Sequence, residues 1–242
     1  FGSSRSDAAP RRSPAAGPPP LASRRMAGQV LVCGGAVVDC IVKPFDASQR
    51  GASRTSLPGQ AKVSNGGVAR NIAEAIARLG GRPRLLSAVG DDDPGQRLRA
   101  ATEAVGVDAA LVAAAAPGGG RTATFTALLD GAGDLVGAVA DMAIFDSISS
   151  AQVDAARAGG AFAAAALAVC DANLPPATLR RLLECSTEAG VPAWYEPVSV
   201  AKATRGLAGR PWHLATPNWD ELQALLGRAP EPLPEASPAD AG

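Results

Sequence analysis

The sequence predicts an α/β fold in which helices wrap a parallel sheet and a smaller β sheet lies beside it. Three observations carry this. From Leu167 onward, apolar runs and helical periodicities alternate as strand, helix, strand, helix, strand, helix, the rhythm of a parallel sheet wrapped by helices. Glycine pairs punctuate the pattern: Gly34-Gly35 ends an apolar run and Gly80-Gly81 stops a helix. Finally, two β-prone runs flank Asp130-Gly131-Ala132-Gly133-Asp134, which marks a hairpin.

The elements follow in order. Gln29 to Cys33 is a short apolar run and reads as a buried strand. Asp39 to Pro44 alternates loosely as a second strand, 51–59 is turn-rich, and Gln60 to Ser64 makes a third strand. Asn65-Gly66-Gly67 leads into a helix whose inner face is Ile72, Ala75, Ile76 and Leu79, spaced i, i+3, i+4, i+7. Arg84 to Val89 is a strand. The following helix opens with Pro94, suited to a first turn, and turns Leu98, Ala101, Thr102 and Val105 inward. Thr122 to Leu129 and Leu135 to Ala140 form the hairpin. Ser150 to Ala158 is a helix, Leu167 to Asp171 a strand, and Pro175 to Glu188 a helix burying Leu179, Leu182 and Leu183. Pro192 to Tyr195 and His213 to Ala215 are strands, and Asp220 to Leu226 is a helix.

Composition narrows the function. The 242 residues are 47% hydrophobic and 19% charged, enough for a real core. Lys+Arg and Asp+Glu are both 23, and aromatics are 4%. A chain without surplus positive charge or stacking platforms is not expected to bind nucleic acid. No apolar run approaches the roughly 18–20 residues that span a bilayer, so no membrane partner is expected. Cys33, Cys40, Cys170 and Cys185 show no C-x-x-C spacing, which fits free thiols in a reducing cytoplasm. Residues 1–27 are rich in Pro, Ser, Ala and Arg and read as disordered. Their arginines also fit a mitochondrial transit peptide. The expected domain spans 28–227, with a Pro-rich tail over 228–242.

Three segments could carry chemistry, because ligands of such folds bind beyond the carboxyl ends of the strands. After Gly34-Gly35, Asp39 offers a carboxylate to a polyol, or serves only as a turn residue. Gly66 and Gly67 remove side-chain bulk, and Asn71 offers a donor and an acceptor to sugar hydroxyls. In Thr216-Pro217-Asn218, Asn218 and Glu221 lie one helical turn apart. They suit phosphate or hydrated magnesium, or Asn218 is a helix cap.

The segments GGAVVD, NGGVARNIAEAIARLG, VGDDDPG and TPNWDEL resemble the ribokinase (PfkB) family of sugar and nucleoside kinases. Within it, TATFTALLDGAGDLVGAVADM, CDANLP and EPVSVAKA are similar to the pseudouridine-specific members. The resemblance implies a ribokinase-like doubly wound sheet with a small β lid near 40–64 and 121–141. It also implies ATP and Mg2+ as cofactors and a ribosyl nucleoside, pseudouridine, as the substrate phosphorylated on its hydroxymethyl group. Asp39, Gly66, Gly67 and Asn71 would form the sugar pocket. Asn218, Glu221, Asn173 and Lys202 would serve the nucleotide, with Glu221 toward the metal. A homodimer, or a fused or partner pseudouridine-phosphate glycosidase, is the implied company.

Family members carry a Gly-Ala-Gly-Asp segment at a helix start near the C-terminus, which supplies an anion hole and the catalytic base. Gly131-Ala132-Gly133-Asp134 has that composition, yet it lies between two strand-like runs and precedes TPNWDEL, so Asp134 reads as a turn residue. The expectation is therefore a domain missing its C-terminal part, with no catalytic base of its own and little activity. Losing a positioned base costs about 10²–10⁴ in rate. The alternative is a nucleoside- or sugar-binding module that does not turn over. A dehydrogenase lacks its G-x-G-x-x-G after a strand, and a hydrolase triad is disfavoured because His213 is the sole histidine and no G-x-S-x-G elbow occurs.

Overall fold

A computed structural model describes residues 28–45, 56–116, 118–207, 209 and 211–228. The segments expected to be disordered at 1–27 and Pro-rich at 229–242, with part of the turn-rich stretch at 51–55, lie outside the described residues.

The main sheet has six strands, all parallel, in the order β10-β9-β8-β1-β4-β5. They are β1 (Gln29–Cys33), β4 (Arg82–Val89), β5 (Asp108–Ala114), β8 (Ala165–Asp171), β9 (Ala193–Glu196) and β10 (Leu214–Ala215). Strand side chains alternate between faces, and β1 shows the consequence. Val30 and Val32 join one buried cluster with Ala69, Ala73, Leu85 and Leu98. Leu31 and Cys33 join the other with Leu86, Cys170, Leu179 and Leu182. Burial on both faces is why these strands read as continuous apolar runs. Helices α1 (Val68–Arg78) and α2 (Asp93–Ala104) supply the first cluster, and α3 (Ser150–Ala158) and α4 (Pro176–Glu188) the second. The arrangement is the doubly wound one expected.

A second sheet of four strands, ordered β3-β2-β6-β7, leaves the carboxyl end of β1. It contains β2 (Val37–Pro44), β3 (Gly59–Gly66), β6 (Thr124–Leu129) and β7 (Leu135–Asp141). The β6–β7 hairpin forms as expected, and β6 also pairs in parallel with β2.

Three details differ from the sequence reading. Strand β5 was not anticipated, because its sequence DAALVAA is mostly alanine, a residue depleted in strands; pairing with β4 along an edge makes it one. Helix α1 is rotated, burying Ala69 and Ala73 while Leu79 is 88% exposed as the residue after the last turn. Small alanines there let the helix lie close to β1. Strand β2 begins at Val37, two residues before the expected start at Asp39, so of the two readings of Asp39 the strand residue is the one formed and not the turn residue.

Candidate functional site

The site is assembled where β1 hands the chain to β2. Asp39 pairs with Ser64 across the antiparallel β2–β3 ladder, and Val37 pairs with Gly66. This register sets the Asp39 carboxylate against the Asn65-Gly66-Gly67 turn. A Cβ on Gly66 would overlap that carboxylate, and one on Gly67 would strike the Gly35 carbonyl. Gly67, at φ +94, then caps α1, which carries Asn71 in its first turn. Both glycines are needed because backbone must approach backbone, or a carboxylate, where a side chain has no room.

Asp39, Gly67, Asn71, Asn173 and Lys202 line one cavity of about 250 Å3. Its remaining wall is apolar: Val37, Val68, Phe125, Met142 and Val198. Burial pushes the Asp39 carboxyl above its ordinary value, and the Arg70 charge partly opposes this. Val198 holds φ +67, a left-handed conformation that is costly for a β-branched residue. The strain sits on the cavity wall.

A second cavity of about 300 Å3 shares Met142, Asn173 and Lys202 with the first and adds Asp146 and Arg205. Lys202 Nζ donates to Asn173 Oδ1 at 2.6 Å, and Arg205 donates to the Ala172 and Asn173 carbonyls at 3.3 and 3.4 Å. Burial, then the neighbouring Arg205, pulls the Lys202 ammonium below its usual value. Two cations converging on one hollow suit an anion. Tyr195 holds this segment in place. Its hydroxyl accepts from Gly206 N at 3.0 Å and donates to the Ala203 carbonyl at 2.9 Å, and its ring stacks on Trp212.

Asp171, at the end of β8, ties these loops together. Its Oδ2 accepts from the amides of Gly35 and Ala69, both at 2.9 Å, and Oδ1 accepts from Asn173 N at 2.9 Å. The side chain is buried, and a Cβ on Gly34 would collide with it. Desolvation raises its pKa although the amides of Gly35, Asn173 and Ala69 all favour the charge. Asp92 performs a similar task at the edge of the second sheet. It caps α2 through Gly95 N and bonds both the amide and the hydroxyl of Thr122, just before β6. Burial opposes ionisation of Asp92, but the Thr122 and Gly95 bonds outweigh it and lower its pKa. Because the folded value is the lower one, its contribution is present above the ordinary carboxylate pKa and is lost as pH falls through the folded value. Asp92→Ala should cost about 1–3 kcal/mol at pH 7. In urea melts the gap to the parent should narrow toward pH 3; a pH-independent gap would contradict the assignment.

Asn218 and Glu221 have a different place. They form a reciprocal cap on α5 (Trp219–Leu225), with Asn218 Oδ1 accepting from Glu221 N and Glu221 Oε2 from Asn218 N, both at 2.9 Å. Glu221 is 4% exposed, and neither residue lines the two cavities. Of the two readings of Asn218, the cap is the one formed. Among the described residues no three His, Cys, Asp or Glu side chains are grouped to hold a metal ion. With Glu221 engaged in its cap, the pair does not by itself fit a magnesium site. The Gly131-Ala132-Gly133-Asp134 stretch is a hairpin tip between β6 and β7, as expected. Asp130 Oδ1 accepts from the amides of Ala132, Gly133 and Asp134 at 2.9–3.0 Å. The chain's own carboxylate thus takes the amides that an anion would need.

Sequence reasoning set Asp39, Gly66, Gly67 and Asn71 at a sugar pocket and grouped Asn173 and Lys202 with Asn218 and Glu221. The structure instead places Asn173 and Lys202 on the cavity of Asp39 and Asn71, and the sequence reading missed Arg205, Asp171 and Phe125. CDANLP contains Asp171, and its position at a strand end was the available signal. Among the described residues no helix is long and apolar enough to cross a membrane.

The sequence pattern of the pfkB family carbohydrate kinases matches residues 28–241. Pseudouridine kinase of Escherichia coli is 35% identical over 178 residues, 72% of this chain and 54% of that protein. Pseudouridine kinase of Arabidopsis thaliana is 28% identical over 204 residues, 81% of this chain and 50% of that protein. The chain therefore spans about half the length of the curated relatives it matches. A carbohydrate kinase from Agrobacterium tumefaciens superposes with a TM-score of 0.72 at 29% identity, over 83% of this chain and 64% of that one. Arabidopsis thaliana ribokinase, solved with ribose and ATP, superposes with a TM-score of 0.64 at 17% identity, over 84% and 64% of the two chains, and speaks for the fold alone. With a ribokinase-like α/β fold and a family pattern running almost from the first strand to the end of the sequence, the chain belongs to the pfkB family of carbohydrate kinases.

Proposed function

We propose that this chain provides the acceptor-binding part of an ATP-dependent kinase acting on a ribosyl nucleoside, pseudouridine. The observation that carries the reading is the single cavity holding Asp39, Asn71, Gly67, Asn173 and Lys202. An ionised Asp39 accepts hydrogen bonds from sugar hydroxyls, and Asn71 adds its amide. Phe125 with Val37, Met142 and Val198 gives a planar base an apolar wall, which favours a nucleoside over a free sugar. The likeness to two pseudouridine kinases supports the same choice.

The second cavity fits the phosphate end of the donor, because Lys202 and Arg205 bring two positive charges to it. ATP would supply the phosphoryl group there, with Lys202 and Arg205 as the residues holding its oxygens. The cavities meet at Asn173 and Lys202, so an acceptor held by Asp39 can present a hydroxymethyl group to the second hollow. Removing the proton from that hydroxyl is a separate task. The one Gly-Ala-Gly-Asp in the 242 residues is the closed hairpin tip, so we assign no catalytic base. The 242-residue chain should bind the nucleoside and turn it over at least about 10²-fold more slowly than an ordinary kinase.

Calorimetry with pseudouridine, paired with an ADP-release assay, tests both halves. Binding without comparable turnover is the expected result. Absence of binding would refute the acceptor site, and turnover of about 1–100 per second would refute the missing base. The binding should also depend on pH. Since Asp39 must be ionised to accept, and burial holds its pKa above 3.8, affinity should be full near neutrality. It should decline on acidification with a midpoint above that value, and Asp39→Asn should flatten the profile.

A further inference from the structure

Arg70 lies outside the cavity and is 3% exposed, yet its guanidinium controls how Asn71 faces it. Nη1 donates to Asn71 Oδ1 at 3.0 Å and to the Asn65 carbonyl at 3.1 Å. Nε donates to Thr102 Oγ1 at 3.3 Å, and Nη2 to Glu74 at 2.5 Å. Thr102 in turn donates its hydroxyl to the Leu98 carbonyl at 2.7 Å, which leaves a lone pair for Arg70. The group is thus anchored to β3, α1 and α2 at once. A guanidinium has no acceptor, so its bond to Asn71 can run only to the amide oxygen. That leaves the Asn71 NH2 as the part of the amide available to a ligand. Asp39, on the same cavity, is acceptor-only when ionised. A fixed donor beside a fixed acceptor complements neighbouring hydroxyls, each of which both accepts and donates.

We propose that Arg70 is a positioning residue that locks the Asn71 amide with its NH2 toward the ligand, so that the pocket selects a vicinal diol. The inference rests on the acceptor-site reading above. It also gives a reason for a largely buried cation, whose desolvation is costly, at the start of α1.

The test compares pseudouridine with its 2′-deoxy and 3′-deoxy analogues by calorimetry on the 242-residue chain. The parent should prefer the diol by about tenfold or more over at least one analogue. Arg70→Met should reduce that preference to within about threefold, and adding Asn71→Ala should change it no further. Leu182→Ala, a core substitution on the other face of the sheet, should lower the melting temperature while keeping the parent preference. Should Arg70→Met fail to fold, side-chain amide relaxation in the parent protein decides: an Asn71 NH2 as rigid as the backbone is expected, and a freely rotating one overturns the inference. Undiminished diol preference in a folded Arg70→Met overturns the role of Arg70 alone. Failure of the parent to bind any of the three nucleosides overturns the acceptor site and this inference with it.

Discussion

Asp39→Ala is expected to weaken pseudouridine binding by roughly two to three orders of magnitude while leaving the fold intact. Hydrogen bonds to a charged group contribute about 1.5–3 kcal/mol each, and a carboxylate facing two hydroxyls makes more than one. The side chain is half-buried on β2, a strand held on both sides by β3 and β6, so truncation removes chemistry and not architecture. Gly66 would gain space from the loss, since its own Cβ is excluded by that carboxylate. Calorimetry and a thermal melt on the same sample check the two halves. A loss of affinity below tenfold would mean that Asp39 does not hold the ligand. A large fall in melting temperature would mean that it is structural.

Asp171→Ala should act in the opposite proportion, costing about 3 kcal/mol or more of stability. Three amides, those of Gly35, Ala69 and Asn173, converge on its buried carboxylate. Each would be stranded at about 1–3 kcal/mol. Asp171→Asn keeps the shape and one oxygen and should lose less. Because those amides belong to the β1 turn, the start of α1 and the end of β8, the same substitution should also loosen the cavity. Urea denaturation of the two variants beside the parent is the measurement. Alanine no more costly than asparagine would contradict the tie.

Most of the fold was legible because it is written in short-range pattern. Buried strands such as Gln29–Cys33 are unbroken apolar runs, and α4 shows its inner face in Leu179, Leu182 and Leu183. The elements that escaped are those whose state is imposed from outside. Strand β5 is alanine-rich and becomes a strand by pairing with β4. The inner face of α1 is set by small residues meeting the sheet, so choosing the largest side chains misplaced Leu79. The site divides the same way. Asp39, Gly66, Gly67 and Asn71 announced themselves as polar or glycine residues in or just after glycine-rich segments. Arg205 follows an ordinary lysine in a loop, and only the fold of 203–207 against Tyr195 carries it to the anion hollow. Asn218 and Glu221 illustrate the converse, a spacing that suits a phosphate or metal and equally a helix cap, and the cap is what forms.

The account stands on Asp39 and Asn71 acting together on one sugar from opposite elements, β2 and α1. A crystal structure of the chain grown with pseudouridine examines this directly. The expected density places the ribose between those two side chains, with the base against Phe125 and the hydroxymethyl group toward Lys202. Density for the nucleoside elsewhere on the chain, with this cavity holding only solvent, would contradict it.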